Sequence, residues 1–431
     1  MTSIITKLSG CRICDGTQIL PLLSLGEQSF TGIFPRDAKA DVPVGPLELV
    51  KCGACDLVQL NHSFDPGLMY GENYGYRSGL NGSMVRHLNH KIHTLVPIAE
   101  LREGDLVVDI GSNDGTTLRA YPDRNLEFVG FDPTGSKFRA FYPSDVTLVS
   151  DFFSEAAFRS CFGSRKAKVV TSFAMFYDLE TPVAFMKDVE SILDNEGIWV
   201  FEQSYLQAML DTSSYDTICH EHLEYYGLKQ ICKMADLAGL KVLDVEFNDV
   251  NGGSFSIVAC KRGSSRLPKQ KLIDDILNKE EKSGLYSLST YRAFGERVAH
   301  HKRAVRNFFD WASDARKRVI GYGASTKGNV LLQHCGITAR ELICIAEVNT
   351  DKVGAFTPGS LIPIVSEDAA KMMKPDCFFV LPWHFRQGIM RRESQFIENG
   401  GCFAFPLPLL EIAPDEVPSV DDFKAWTRAR A

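Results

Sequence analysis

Two histidines flank a glutamate in the segment YDTICHEHLEYY, residues 215–226. Imidazole titrates near neutrality, and a neighbouring carboxylate can orient it and raise its basicity, which is what the abstraction of a proton requires. The spacing H-E-H differs from H-E-x-x-H, so the two histidines cannot share a helix face as zinc ligands. The segment therefore predicts an acid–base site containing His220, Glu221 and His222. A polar loop that only holds the edge of a sheet is the alternative.

A second pattern with chemical meaning is the glycine turn GSNDG, residues 111–115, which follows the apolar run 106–110. Glycines between a strand and a helix let the backbone approach a ligand, and the helix N-terminus faces that ligand. The turn lacks the G-x-G-x-x-G order of dinucleotide sites. Its acidic strand end and its glycine spacing resemble the first motif of S-adenosylmethionine-dependent methyltransferases.

The cofactor expected at this turn is therefore S-adenosylmethionine. Asp132, at the end of the next predicted strand, is placed to accept hydrogen bonds from the ribose hydroxyls of a nucleoside. The residues that we expect to contact the cofactor are Asp109, Gly111, Asn113, Asp114, Gly115, Asp132, Pro133, Asp151, Phe152 and Ser172.

Four cysteines near the start of the chain form two C-x-x-C pairs, Cys11 with Cys14 and Cys52 with Cys55. Two such pairs put four thiolates within reach of one tetrahedral ion, and Gly53 lets the backbone turn toward the metal. The long separation of the pairs is unusual for a zinc ribbon. Unrelated buried cysteines and a redox C-x-x-C are the alternatives. We expect a structural Zn²⁺ with no open coordination position.

A second glycine turn, GYGASTKG, covers residues 321–328 between a predicted strand and a predicted helix at 329–335. A further strand at 343–346 ends in Glu347, so this unit taken alone is a candidate for binding NAD. Its glycines are one residue out of register with the dinucleotide pattern, and Lys327 indicates a phosphate or another anionic partner. A Rossmann-like turn that binds nothing is equally compatible with the sequence.

The elements around these motifs alternate between strand and helix, which predicts a doubly wound α/β sheet. The Asn251-Gly252-Gly253 turn predicts that the last two strands of this unit pair antiparallel. We predict helices near 82–101, 116–120, 136–141, 180–194, 227–238 and within 270–315, and strands at 106–110, 127–131, 146–149, 168–173, 198–202, 242–247 and 254–260.

The composition excludes several classes of function. The chain has 431 residues, 45% of them hydrophobic, and a net charge of −7, which opposes binding to nucleic acid or to an anionic membrane. No apolar run is long enough to span a membrane, and the apolar stretch at the start is too short for a signal peptide. Most cysteines stand singly in apolar segments, as expected in a reducing compartment. We therefore expect a cytoplasmic protein of two or three domains.

The motifs, in this order, resemble the three-part sugar C-methyltransferases of deoxysugar biosynthesis. The resemblance extends over essentially the whole chain and includes NGGS at 251–254 and PGSLIPIV at 358–365. It implies a small zinc-binding domain (1–70), a central Rossmann-like adenosylmethionine domain (71–262) and a C-terminal Rossmann-like α/β domain with a helical lead-in (263–431). Members of this family methylate carbon 3 of a 4-keto nucleotide-diphosphate sugar, which lies between the domains. We expect such a sugar as the partner and a monomer or homodimer.

The resemblance also implies roles for individual residues. A ketone acidifies the neighbouring C–H, a base removes that proton, and the enolate attacks the sulfonium methyl. His222 would be the base, Glu221 would position it or the sugar, and His220 completes the catalytic set. Tyr76, in the loop YGYRSG at 74–79, would hydrogen-bond the enolate oxygen.

Two departures from the family pattern lie near the expected substrate. Cys219 stands where family members commonly carry tyrosine, and the segment TSFAMFYD, residues 171–178, replaces an asparagine-rich segment with a histidine. We expect Cys219 and Tyr177 to line the substrate pocket, and Lys327 and Asn329 to contact the nucleotide or its diphosphate.

Three other activities remain compatible with parts of this pattern. A sugar O-methyltransferase would need the same base and the same donor. An oxidoreductase would bind NAD at the 319–347 unit and use the central domain as a scaffold. A nucleic-acid methyltransferase, suggested by the zinc knuckles, is opposed by the acidic charge balance.

Overall fold

The computed structural model describes residues 4–70, 75–123 and 125–414, so Tyr74 of the YGYRSG loop lies outside the described residues. The described strands form sheets of seven, six and four strands and one two-stranded pair. The predicted α/β architecture is therefore confirmed. Within the part of the chain that the structure covers, no helix combines the length and the apolar character needed to cross a membrane.

The N-terminal part of the chain is mostly strand. In Val44–Cys52, Gly45, Leu47 and Leu49 are buried in alternation, as in a strand with one face on a core. The second and third strands pair antiparallel, as do the third and fourth. The elements are β1 (Ile5–Lys7), β2 (Ile19–Ser29), β3 (Val44–Cys52), β4 (Val58–Leu60), β5 (His62–Phe64) and α1 (Pro66–Met69).

The central part is the predicted doubly wound unit. Its elements are α2 (Gly82–Ala99), β6 (Leu106–Ile110), α3 (Thr116–Arg119), β7 (Glu127–Phe131), α4 (Gly135–Phe138), β8 (Val146–Val149), α5 (Glu155–Phe162), β9 (Ala167–Phe173), α6 (Pro182–Ile192), β10 (Leu193–Ser204), α7 (Leu206–Asp211), β11 (Glu224–Tyr225), α8 (Leu228–Leu237), β12 (Leu240–Asn248) and β13 (Ser254–Lys261). The sheet order is β12-β13-β10-β9-β6-β7-β8. The strand order reverses between β6 and β9, and a crevice at such a point is where open α/β sheets bind ligands.

The strands predicted for this unit are all present, with two differences in detail among its elements. β10 begins at Leu193 rather than at 198, because Leu193 pairs with Ala167 before a register shift. The helix predicted near 136–141 is α4 followed by a 3-10 turn at Arg139–Phe141. The antiparallel pairing of β12 with β13 is confirmed.

The C-terminal part begins with two helices and continues as a second doubly wound sheet. Its elements are α9 (Gln270–Lys282), α10 (Leu288–Asp314), β14 (Val319–Tyr322), α11 (Thr326–Cys335), β15 (Ile345–Glu347), β16 (Ile364–Ser366), α12 (Glu367–Met372), β17 (Cys377–Val380), α13 (Arg386–Arg392), α14 (Ser394–Glu398), β18 (Cys402–Phe405) and β19 (Glu411–Ala413). The order β16-β15-β14-β17-β18-β19 reverses between β14 and β17. This reversal lies beside the 321–328 glycine turn, and we refer to the place as the C-terminal crevice because folds of this kind bind ligands there.

The N-terminal and C-terminal parts both hold the acid–base segment, residues 215–226. Its strand β11 extends the N-terminal sheet by pairing with β4. From the C-terminal part, Trp383 Nε1 donates a hydrogen bond to Asp216 Oδ2 at 2.8 Å. The segment is thus fixed from two sides. The domain boundaries predicted at residues 70 and 262 stay predictions.

Candidate active site

An open cleft lies at the carboxyl ends of β6, β7 and β9. It contains about 1170 Å³ of space, part of it open to solvent. Mostly apolar walls with a few polar groups are typical of a small-molecule site. The predicted cofactor contacts that line this cleft are Asp109, Gly111, Asn113, Asp132, Pro133 and Phe152.

The glycine turn above β6 depends on residues without a side chain. Gly111 has φ +72°, and a Cβ there would lie 3.1 Å from Cγ of Met175, which follows β9. Gly115 has φ +73° at the start of α3, and its Cβ would lie 3.0 Å from the Tyr142 ring. Both positions therefore favour glycine on backbone and on packing grounds. Gly111 lines the cleft, whereas Gly115 shapes the turn behind it.

Two carboxylates stand at the ends of β6 and β7. Asp109 Oδ1 accepts a hydrogen bond from Thr171 at 2.6 Å, and Oδ2 has no hydrogen-bond partner among the described residues. Burial raises the pKa of Asp109 to about 7. Asp132 accepts from the backbone N–H groups of Asn113 at 2.8 Å and Thr134 at 2.7 Å. Each carboxylate oxygen can accept two hydrogen bonds, and Oδ2 accepts the one from Asn113, so a ribose hydroxyl can donate to Asp132 without displacing it.

The turn also fastens the loop that carries Tyr76, which itself lines the cleft. Asp114 accepts a hydrogen bond from the Gly79 N–H at 3.0 Å, and Asn113 Oδ1 accepts from the Ser78 N–H at 2.9 Å. Asp114 does not reach the cleft. Its side chain anchors the loop, and we now propose this positioning role for it in place of a direct cofactor contact.

Besides Asp114 and Gly115, two further predicted cofactor residues are not brought to the cleft. Ser172 is fully buried, and its hydroxyl accepts a hydrogen bond from Trp199 Nε1 at 3.0 Å. Neighbouring side chains of a strand point to opposite faces, so Ser172 faces away from its neighbour Thr171, which contacts Asp109. Asp151 is exposed beside Phe152 and does not line the cleft either. Their placement does not support a cofactor contact.

His222 has one ring nitrogen committed to the backbone. Nδ1 lies 2.9 Å from the Thr217 carbonyl oxygen. A carbonyl can only accept, so Nδ1 carries the hydrogen and Nε2 carries the lone pair. The Tyr177 ring packs on the imidazole with centroids 4.2 Å apart. Burial, with a smaller effect from Lys327, lowers the pKa of His222 to about 3, so the ring is neutral in the absence of substrate.

Glu221 faces the N-terminal part of the chain. Thr31 donates a hydrogen bond from its hydroxyl to Oε2 at 3.4 Å. A Cβ on Gly32 would lie 2.1 Å from Oε1, so only glycine leaves room for the carboxylate in this position. Burial raises the pKa of Glu221 above its ordinary value. Thr31 and Gly32 were missed in the sequence, since no motif marks them.

His220 lies in an aromatic core, and this corrects its assignment to the catalytic set. Its ring centroid lies 4.7 Å from Phe30 and 4.8 Å from Phe64. Nε2 lies 3.3 Å from the Gly45 carbonyl oxygen, and the residue is 0% exposed. His220 points toward the N-terminal sheet, whereas His222 lines a small cavity beside Tyr177. Its role is to hold the segment to that sheet.

The buried state of His220 predicts a pH dependence of stability. Burial lowers its pKa from 6.5 to about 4. Between these values the unfolded chain binds a proton that the folded chain does not, so the free energy of unfolding decreases as the pH falls. This one group contributes a slope of up to about 1.4 kcal/mol per pH unit. Urea unfolding at several pH values should show a shallower slope for His220→Asn than for the wild type or for His90→Asn, whose side chain is exposed. Equal slopes for the three proteins would contradict the neutral buried ring.

The C-terminal crevice brings a cation toward this segment. Lys327 Nζ donates to the Asn251 carbonyl oxygen at 3.0 Å. His384 follows β17 on the other side of the crevice, and its Nδ1 has no hydrogen-bond partner in the described chain. Burial, with a contribution from Lys327, lowers the pKa of His384 to about 3. His384 was missed in the sequence, although its place at the carboxyl end of a parallel strand was the available signal.

The other predicted substrate contacts lie in different surroundings. Cys219 is fully buried, and burial raises the pKa of its thiol well above the ordinary value, so it is neutral. Tyr177 packs on His222 as described. Asn329 Nδ2 donates to the Thr31 carbonyl oxygen at 2.7 Å, so its amide links the C-terminal part to the N-terminal part. Asn329 is 0% exposed, which does not support a nucleotide contact.

Glu347 occupies the position at which dinucleotide-binding folds place a ribose-binding acid. Its two oxygens accept hydrogen bonds from the backbone N–H groups of Ala324 at 2.7 Å and Asn349 at 2.8 Å. The carboxylate therefore closes its own glycine turn. This arrangement counts against the alternative in which the 319–347 unit binds NAD.

The four N-terminal cysteines converge as the sequence predicts. All four Sγ atoms lie within 4.8 Å of one another, with Cys11 and Cys55 3.4 Å apart and Cys14 and Cys52 3.6 Å apart. Four sulfurs at about 2.3 Å from a tetrahedral zinc would lie about 3.8 Å apart, so the cluster fits this ion. Four protein ligands leave no open position, which makes the zinc structural.

Comparisons with known proteins agree with this organisation. Three family descriptions match successive parts of the chain: a zinc binding domain at residues 11–70, a methyltransferase domain at 80–245 and a C-methyltransferase C-terminal domain at 249–408. The chain is 30% identical to the C-methyltransferase NovU of Streptomyces niveus over 411 residues, 95% of this chain and 97% of NovU.

Solved structures overlap the chain only in part. The CcbJ methyltransferase of Streptomyces caelestis is 14% identical and covers 39% of this chain and 88% of its own, with a TM-score of 0.30. An S-adenosylmethionine-dependent methyltransferase of Clostridium acetobutylicum is 11% identical and covers 43% and 92%, with a TM-score of 0.32. Scores this low carry no argument about function.

The match over nearly the whole length of NovU and the three successive domain matches together establish the family of this chain. The zinc cluster and the cleft beside the first glycine turn agree with them. The chain belongs to the S-adenosylmethionine-dependent C-methyltransferases that join an N-terminal zinc-binding domain, a methyltransferase domain and a C-methyltransferase C-terminal domain.

Proposed function

We propose that this enzyme methylates the carbon next to the ketone of a nucleotide-diphosphate keto-deoxysugar, through an enolate. One observation carries the proposal: the hydrogen bond from His222 Nδ1 to the Thr217 carbonyl leaves Nε2 as a neutral base. O-methyl transfer by the same base is the second candidate. The cytoplasmic location and the monomer or homodimer expected from the sequence stay predictions.

Different residues of the chain have different roles in this reaction. S-adenosylmethionine, held by the residues around Gly111 and Asp109, supplies an electrophilic methyl group. His222 removes the proton beside the ketone, and Tyr76 hydrogen-bonds the oxygen on which charge develops. Glu221, which is held against Gly32, positions the base or the sugar.

The C-terminal crevice supports a nucleotide-linked substrate over a free sugar. Lys327 is a cation in a buried setting, and its charge lowers the pKa values of both His222 and His384. A diphosphate is the part of the proposed substrate that would pair with such a cation. Its negative charge would offset the effect of Lys327 and make His222 a stronger base when substrate is bound.

The test is mass spectrometry of the products formed from S-adenosylmethionine and a panel of 4-keto-6-deoxy nucleotide sugars in deuterated water. We expect one added methyl group and the loss of the exchangeable hydrogen beside the ketone. A methylated product that keeps this hydrogen would identify an O-methyltransferase. The absence of product from every sugar, with S-adenosylmethionine bound, would contradict the proposed substrate class.

Gly32→Ala tests the position of Glu221 without changing any reacting group. The added Cβ would displace the carboxylate, and we expect kcat to fall roughly 10- to 100-fold, because small misplacements are costly in an active site. Calorimetry should show unchanged binding of S-adenosylmethionine. The matched control is Gly388→Ala, where a Cβ would meet nothing within 4 Å. Equal kcat for the two variants would remove Glu221 from a positioning role.

A further inference from the structure

Asp178 is a carboxyl group that the proposed mechanism does not yet use. It ends the 3-10 turn Phe176–Asp178, which follows β9 on the cleft side of the central sheet. Asp178 lines the cleft together with Tyr76 and with Tyr70 of the N-terminal part. It also directly follows Tyr177, whose ring packs on His222. Asp178 therefore lies in the wall of the cofactor cleft and is next in the chain to the residue that packs on the base.

The surroundings of Asp178 favour the uncharged form of its carboxyl group. Oδ1 is buried and has no hydrogen-bond partner among the described residues. Burial raises the pKa of Asp178 well above its ordinary value; a hydrogen bond from the Tyr70 hydroxyl opposes this shift in part, and the nearby Glu221 adds a smaller increase. A neutral carboxyl group has one O–H to donate.

We propose that Asp178 donates a hydrogen bond to the ketone oxygen of the substrate, as a second donor beside Tyr76, and so stabilises the enolate. This inference rests on the proposed function, because it needs a ketone in the cleft. Two donors aimed at one developing oxyanion form the arrangement that stabilises such charge most effectively.

The movement of electrons during enolate formation explains why the carboxyl group must be neutral. The C–H bond beside the ketone breaks, its proton goes to His222 Nε2, and the electron pair moves to the ketone oxygen. The pair then forms the new C–C bond as the methyl group leaves sulfur with the C–S pair on sulfur. Asp178 keeps its proton throughout. An ionised Asp178 would repel the enolate, whereas the O–H stabilises it.

The test compares two variants that differ in what they can donate. Asp178→Asn keeps the shape and has an N–H to donate, so we expect kcat within about tenfold of the wild type. Asp178→Leu has no donor, and we expect kcat to fall roughly 10²- to 10³-fold, the usual loss for one oxyanion donor. Both should bind S-adenosylmethionine as the wild type does. Glu180→Gln, an exposed acid two residues further on, is the matched control.

A second readout follows proton abstraction alone. With S-adenosylhomocysteine in place of the donor, NMR in deuterated water reports exchange of the hydrogen beside the ketone. We expect this exchange to slow by the same factor as kcat in Asp178→Leu and to stay near the wild-type rate in Asp178→Asn. A purely structural role would not make the amide restore exchange.

Several outcomes would overturn the inference. Wild-type kcat in Asp178→Leu would show that no donor is needed, and an Asp178→Asn as poor as Asp178→Leu would show that the role requires a carboxyl group. Weaker binding of S-adenosylmethionine in both would place Asp178 at the donor. If Asp178→Leu does not fold, Asp178→Ala, which also lacks a donor, takes its place in the comparison. A wild-type enzyme inactive on every keto sugar would instead refute the proposed function, and Asp178's role with it.

Discussion

Replacing His222 with asparagine is expected to lower kcat roughly 10²- to 10⁴-fold while S-adenosylmethionine binds as before. This is the usual loss when a general base is removed. The asparagine amide can still donate to the Thr217 carbonyl oxygen, as Nδ1 does at 2.9 Å. It offers no basic nitrogen at the position of Nε2, so we expect the rate of the chemical step alone to fall. Product formation under single-turnover conditions, together with calorimetry of the donor, measures both quantities.

The control for this variant is His90→Asn, since His90 is exposed on α2. It should leave kcat unchanged. In His222→Asn, hydrogen exchange beside the ketone should slow together with methyl transfer, because both need the same proton removed. Turnover near the wild-type rate would take the base role away from His222. Loss of donor binding would mean that the substitution had disturbed the cofactor cleft instead.

Replacing both Cys11 and Cys14 with serine should remove the zinc and abolish turnover. Metal binding in such sites supplies folding free energy, about 10–16 kcal/mol in isolated zinc fingers at neutral pH. The N-terminal sheet pairs with β11, and Thr31 contacts Glu221. Unfolding of this sheet therefore releases the acid–base segment, although the cofactor cleft lies in the central part.

We expect calorimetry to show an early unfolding transition in this variant and S-adenosylmethionine binding that is retained below it. Metal analysis should find zinc in the wild type and none in the variant. Cys161→Ser is the matched control, because Cys161 is an exposed cysteine outside the cluster. A variant free of zinc that unfolds and turns over like the wild type would contradict a structural metal.

The local elements of this chain could be predicted from the sequence because their signals are local. Apolar runs such as Leu106–Ile110 predict buried strands, and the Asn251-Gly252-Gly253 turn predicts the antiparallel pair that follows it. The four cysteines were identified as one site for the same reason, since each C-x-x-C pair is a complete knuckle.

The candidate site could be predicted only in its outline. The segment 215–226 was found because three ionisable groups in a row are rare, but its residue types alone do not distinguish His220 from His222; only the family resemblance named His222 as the base. Only the tertiary structure places His220 between Phe30 and Phe64 and ties His222 to the Thr217 carbonyl. The two residues lie on opposite sides of one short loop, and the pairing of β11 with β4 determines which side faces the N-terminal sheet.

What the sequence by itself determined is the order of the domains, their strands and helices, the metal ligands and the presence of an acid–base segment. What only the tertiary structure decided is which polar groups meet. Gly32 packs against Glu221, Lys327 lies near His222, and Asp178 lines the cleft together with Tyr76. In each case the residues are far apart in the chain. The physical reason is that burial and neighbouring charge set the protonation and direction of a side chain, and both depend on contacts that no local pattern records.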